Sequence, residues 1–178
     1  MLPQNIRSIK DLIFWQYAKI ISHSSGYGRS NLQFIGNYYQ KLQNEEITWE
    51  NALKEFKSTL EITQSCAFCG EVRKLSVEKM LSSVTELSDN RENYIMLCKN
   101  CNSAKGDKGL YQWYGFENLE DIPRNMEGKY LKLLYELHQK RETLSEENIS
   151  SLCQQCGLAK NCPETEKLSV YCLEGIFC

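Results

Sequence analysis

Nine cysteines stand in this chain, and their placement constrains its fold more than any other feature. None precedes Cys66, four lie between positions 66 and 101, and five lie between 153 and 178. The first four form two pairs, Cys66-Ala-Phe-Cys69 and Cys98-Lys-Asn-Cys101, with 28 residues between them. A Cys-x-x-Cys pair can turn two thiolates to one face of a tight knuckle, and two knuckles make a tetrahedral four-sulfur site. That closed arrangement belongs to structural zinc and leaves no position for water, so the metal it predicts is not catalytic. Cys66, Cys69, Cys98 and Cys101 are therefore expected to hold one structural zinc. Iron in a rubredoxin-like site, or four unliganded thiols in a small core, are the alternatives.

A disulfide framework fits the pattern less well, because the cysteines are paired, odd in number and not preceded by an export signal. The opening Met-Leu-Pro-Gln-Asn lacks the charged and then apolar pattern of such a signal, and no apolar run approaches the length of a membrane span. The expectation is a cytoplasmic protein with no membrane partner, whose thiols stay reduced and available to metals. Apolar residues make up 42% of 178 and charged residues 25%, enough for a packed core of one ordinary domain or two small ones. A net charge of -2 argues against a strongly basic nucleic-acid binder. Any such binding must rest on how charge is arranged rather than on its sum.

Hydrophobic periodicity divides the chain into three regions. Over 1–62 it predicts helices at Ile6–Ile21, at Leu32–Leu42, and after Thr48 as N-cap, where Trp49, Leu53, Phe56 and Leu60 repeat. These aromatics read as core, while Arg29 and Lys41 are candidates for touching a partner. Over 63–118 the pattern is shorter-ranged. It predicts a knuckle at Cys66–Gly70, strands near Arg73–Val77 and Tyr94–Leu97, a turn at Ser88–Asn90, and a helix from Asn102. Tyr111–Gly115 is expected to close this unit with aromatic packing. Over 119–178 a helix after Pro123 buries Tyr130, Leu133, Leu134 and Leu137, and Thr143-Leu-Ser-Glu146 reads as a capping box for another. The fold class is α+β: a small metal-stapled ββα core flanked by helices, with a cysteine knuckle at the end.

The stretch Asn93-Tyr-Ile-Met-Leu-Cys98-Lys-Asn-Cys101-Asn102-Ser-Ala-Lys105-Gly106-Asp107-Lys108 resembles the C-terminal half of HNH (His-Asn-His) endonucleases. There an asparagine and a short apolar strand precede Cys-x-x-Cys, then Asn or His and x-x-Lys-Gly. The resemblance covers residues 64–115 and implies a ββα-metal fold. In that family an Asp-His pair on the first strand binds a divalent cation and deprotonates water, the asparagine orients the histidine, and a His or Asn on the helix completes the cation site. Carried over by position, Glu78 stands for the aspartate, Lys79 for the general base, Asn93 for the orienting asparagine and Asn102 for the second cation ligand. A lysine at an exposed position, with a pKa of about 10.4, cannot accept a proton from water at neutral pH. The only histidines, His23 and His138, lie outside the motif. The resemblance thus implies a retained fold with a lost base. Lys79, with Lys99, Lys105 and Lys108, can instead grip phosphate, and Arg73 and Lys74 add to that charge. A solvated charged face is the plainer reading of the same residues.

The second cluster, Cys153, Cys156, Cys162, Cys172 and Cys178, is denser and less regular. Cys153, Cys156, Cys162 and Cys172 are the expected ligands of a second ion, with terminal Cys178 spare. Zinc is the default; a Cys-x-x-Cys followed by Cys-Pro also leaves an iron–sulfur cluster open. Three functions follow. The first is nucleic-acid recognition by a degenerate HNH domain, DNA more than RNA, within a larger protein complex. The second is an active endonuclease using magnesium. The third is an iron–sulfur or redox-sensing module.

Overall fold

The computed structural model describes residues 3–48, 64–81, 90–164 and 167–177. Helix α1 (Ile9–Ser24) starts where Ser8 and Asp11 form a reciprocal cap: the Ser8 hydroxyl accepts the Asp11 N–H at 3.1 Å, and the Asp11 carboxylate accepts the Ser8 N–H at 3.0 Å. Every residue from Leu12 to Ala18 is buried, all of them apolar but Gln16, so the helix is covered on nearly every side. Helix α2 (Leu32–Gln43) packs on it through an edge-on contact of Tyr39 with Trp15. Tyr135 of helix α5 (Arg124–Lys140) stacks on Phe14. The helix expected after Thr48 lies outside the described residues, as does most of the turn expected at Ser88–Asn90.

Strand β1 (Leu75–Lys79) pairs antiparallel with β2 (Tyr94–Cys98), placing Leu75 opposite Cys98 and Lys79 opposite Tyr94. β1 begins two residues later than expected. The Glu71 carboxylate takes the N–H groups of Val72 and Arg73, and Lys74 has a φ of 51°, so the chain is still turning there. β2 runs directly into helix α3 (Lys99–Lys105). α3 starts three residues earlier than expected because Cys98 is its N-cap, its sulfur accepting the Cys101 N–H at 3.5 Å. After helix α4 (Leu110–Tyr114) and a short 3-10 segment, α5 buries Tyr130, Leu133, Leu134 and Leu137, the face its periodicity predicts.

Helix α6 (Ile149–Gln155) is capped by Asn148, not by the Thr143–Glu146 box. The Thr143 hydroxyl is engaged by His138 Nδ1 at 2.7 Å, and the Glu146 carboxylate accepts the Asn148 N–H. Helix α7 (Val170–Glu174) ends the fold and rests on α1. Buried residues from all three regions form one contiguous core. Among the described residues no helix is long and apolar enough to cross a membrane.

Two buried polar residues fasten the tail. His138 Nε2 donates to the Leu173 carbonyl at 2.9 Å, which leaves Nδ1 to accept from Thr143, and burial lowers its pKa to about 4. Glu174 is fully buried and caps α4: it accepts the N–H groups of Tyr111 and Gln112 and the Tyr130 hydroxyl at 3.0, 2.6 and 2.7 Å. Gly109 leaves room for it, since a Cβ there would lie 2.5 Å from the Glu174 carboxylate. Burial pushes the Glu174 carboxyl up to about 7, although its donors favour ionisation. Its contribution to stability is therefore complete below the ordinary glutamate value and is lost as pH rises through about 7. His138, depressed by burial, acts in the opposite sense over the same interval. Comparing Glu174→Gln with the wild type isolates the carboxyl. In urea unfolding the variant is expected to gain about 1 kcal/mol relative to the wild type between about pH 6 and pH 8. Parallel pH profiles would show that Glu174 does not titrate there.

Candidate metal centre and adjoining cleft

The first knuckle closes because Gly70, at a φ of 73°, returns its N–H to the Cys66 carbonyl at 3.0 Å. The Ala67 N–H then donates to the Met96 carbonyl at 2.9 Å, fixing this knuckle beside β2. The second knuckle is the joint between β2 and α3. The ligand atoms of Cys66, Cys69, Cys98 and Cys101 all lie within 4.8 Å of one another, and the Cys69 and Cys98 sulfurs are 3.7 Å apart. A tetrahedron with metal–sulfur bonds of about 2.3 Å has edges of roughly 3.8 Å, so the spacing suits a metal ion. Phe68, within the knuckle, meets Trp113 edge-on at 4.6 Å and Tyr114 at 6.2 Å, the aromatic closure expected of Tyr111–Gly115.

The electrostatics agree with the geometry. Burial would raise the Cys66 thiol, but N–H groups of Cys98, Cys69 and Phe68 outweigh it and bring the pKa down to about 6. Burial and then the neighbouring thiols push Cys101 upward. Four thiols in one another's field cannot all ionise unless a cation balances them.

α3 carries the centre's geometry into an adjoining cleft. Asn102 follows Cys101 directly, and its amide donates to the Glu78 carboxylate of β1 at 2.8 Å. Val77, Glu78, Lys79, Tyr94, Asn102, Gly106 and Asp107 line a cleft of about 390 Å³. The structure thus brings together Glu78, Lys79 and Asn102. Asn93 is not among the residues that line the cleft. It is wholly buried and clamps Leu81, accepting its N–H at 3.0 Å and donating to its carbonyl at 3.1 Å, so it sets where β1 ends.

Lys99 and Lys108 are exposed, but Lys105 is not available to a ligand on the surface. It is 2% exposed, its ammonium donates to the Gly106 carbonyl, and its charge acts on Glu174. The x-x-Lys-Gly pattern gave no sign that this lysine turns inward. Arg29 is likewise no partner-facing residue, being buried against Glu127 at 2.7 Å, and Lys41 lies over the Tyr38 ring. His138 is in the core and His23 is exposed at the end of α1; neither lines the cleft. Asp107 and Tyr94 do line it and were given no role from sequence, since only the strand pairing and the turn after α3 bring them in.

Cys153 lies in α6, Cys156 caps that helix, Cys162 follows a short 3-10 turn, and Cys172 sits in α7. Among the described residues, the group around Cys66 is the only set of three or more Cys, His, Asp or Glu ligand atoms within 4.8 Å of one another. The tail thiols share one corner of the molecule without reaching that spacing. No protein family, curated protein or solved structure matches the chain.

Proposed function

We propose that the chain is a zinc-binding HNH-like module that binds nucleic acid, DNA in the first instance, and has lost the general base of a nuclease. The observation that supports this reading is the contact of Glu78 with Asn102 beside Lys79, in a cleft held by the four-cysteine centre. By the resemblance in sequence, these are the positions at which an HNH enzyme carries its cation ligands and its base. Zinc at the centre is structural, because four thiolates leave no site for water. Its work is to hold α3 against β1, so that Asn102 reaches Glu78. In the cleft, a lysine replaces the group that should accept water's proton. A lysine ammonium donates to phosphate and accepts nothing from water. Lys79 in the cleft, together with Lys99 and Lys108 exposed at the start of α3 and just after its end, therefore grips a phosphate backbone without cutting it. Such a module contributes binding to a larger nucleic-acid-processing complex. The competing reading is an active magnesium-dependent endonuclease. Asp107 favours it, by adding a second carboxylate to the cleft with Glu78.

Fluorescence anisotropy with short DNA duplexes and single strands tests the proposal. Three phosphate contacts imply an affinity loss of about 40-fold as salt rises fourfold, for instance from about 50 to 200 mM. Lys79→Ala should lower affinity about eightfold near 0.1 M salt and reduce the salt slope by about one, with an unchanged circular dichroism spectrum. No cleavage should accompany binding when magnesium or manganese is added, and Lys79→His should restore trace nicking. Absence of salt-dependent binding would overturn the proposal. Metal-dependent cleavage by the wild type, abolished by Lys79→Ala, would establish the nuclease instead.

A further inference from the structure

We infer that Cys153, Cys156, Cys162 and Cys172 form a second zinc site, independent of the cleft, that locks α6 onto α7. The backbone has already brought these helices together: the Gly157 N–H donates to the Gly175 carbonyl at 2.7 Å. A Cβ on Gly175 would collide with the sulfur of Cys156, so that thiol sits directly against the end of the helix carrying Cys172. The remaining pair is joined by one hydroxyl. Ser169 Oγ lies 3.4 Å from the Cys162 sulfur and 3.9 Å from the Cys172 sulfur. The Cys172 sulfur accepts the Ser169 N–H at 3.4 Å, much as Cys98 accepts the Cys101 N–H at 3.5 Å in the first centre. Such N–H groups stabilise a thiolate and stay in place when it binds metal.

Cys153, Cys156 and Cys162 are half-buried, within reach of solvent metal, while Cys172 is buried and held by the Ser169 N–H. Zinc here would be held by the four cysteines as thiolates, their protons released on binding, with the Ser169 hydroxyl leaving the space between two of the sulfurs. Four thiols suit zinc's preference for soft donors, and His138, which reaches the Leu173 carbonyl beside Cys172, has both ring nitrogens engaged, by Leu173 and by Thr143. Metal binding here would also firm up the latch already described. α7 carries Leu173 and Glu174, which fasten His138 and α4.

Metal analysis of the full-length protein, purified with zinc present, is the test. The wild type should carry two zinc equivalents and release them in two steps when titrated with a thiol-binding mercurial. The Cys153→Ser/Cys162→Ser double variant should carry one. Point variants serve better than truncation, because Leu173 and Phe177 belong to the core. A single equivalent in the wild type would overturn the site even if the variant failed to fold. So would two equivalents persisting in the variant, or iron with visible sulfur-to-iron absorbance in place of the second zinc. Loss of nucleic-acid binding bears on none of these counts, so this site and the cleft fail separately.

Discussion

Cys101→Ser is expected to abolish cooperative folding of the segment from Cys66 to Tyr114, and strong chelation of the wild type should do the same. A four-thiolate zinc site rarely preforms in an unfolded chain, so its apparent binding energy, about 10–16 kcal/mol, appears as folding energy. That is as large as the whole stability of an ordinary domain, about 5–15 kcal/mol. The two strands are five residues each and α3 is seven, too short to persist alone. Cys101 is the cleanest of the four to replace. Cys98 also caps α3, so its loss would mix two effects, whereas Cys101 is half-buried and its sulfur caps no helix. The readouts are limited proteolysis and the near-ultraviolet signal of Trp113 and Tyr114, which pack around Phe68. A soluble Cys101→Ser protein that carries no zinc and still melts cooperatively would remove the centre from the fold's support.

What could be read from the sequence follows from how locally each feature is determined. Both knuckles are set by residues adjacent in the chain, and the structure gathers all four of those cysteines. Helices α2 and α5 carry clear periodic faces while α1 is apolar nearly all round; α1 and α2 sit within three residues of their expected limits, and α5 begins directly after Pro123 as expected. Failures occur where a side chain serves a distant partner. Thr143 does not cap a helix because His138 engages it, and Lys105 leaves the surface because α3 directs it toward the tail. Arg29 shows the same effect over a longer distance, pairing with Glu127 across 98 positions. No periodic pattern encodes such partners, since the pairing exists only once α1 and α5 lie side by side.

The residues of the cleft fall between these cases. Glu78 and Asn102 are 24 positions apart, yet the register of two short strands is enough to bring them to 2.8 Å. Asn93 matters to that register through its backbone clamp on Leu81, a part of its role that side-chain matching to a motif would not reveal. A cleft of this kind depends on the four-cysteine group twice: Cys98 ends β2, and Cys101 directly precedes Asn102. On the proposed reading, loss of the ion is expected to disperse the phosphate contacts along with the fold.

Breaking the Arg29–Glu127 pair from one side should cost about 3–5 kcal/mol, while removing both charges should cost far less. Arg29 follows Gly28, whose φ of 73° turns the chain inward after α1. The guanidinium lies 2.7 Å from Glu127, donates to the Ile122 carbonyl at 3.3 Å, and stands 3.5 Å from the exposed Glu120. Glu127 is 1% exposed. Burial raises its pKa above the ordinary glutamate value even though Arg29 and Lys19 pull it down. Desolvation thus outweighs pairing, and the charges do not stabilise the core relative to well-packed apolar residues. Glu127→Ala strands a buried guanidinium, and Arg29→Ala strands a buried carboxylate; each single variant should show the full loss in urea unfolding. The double variant Arg29→Met/Glu127→Leu fills the same space without charge and should lie close to the wild type or above it. If the double variant were as unstable as the sum of the two singles, the pair would be a net source of stability, its attraction exceeding the cost of burying both charges.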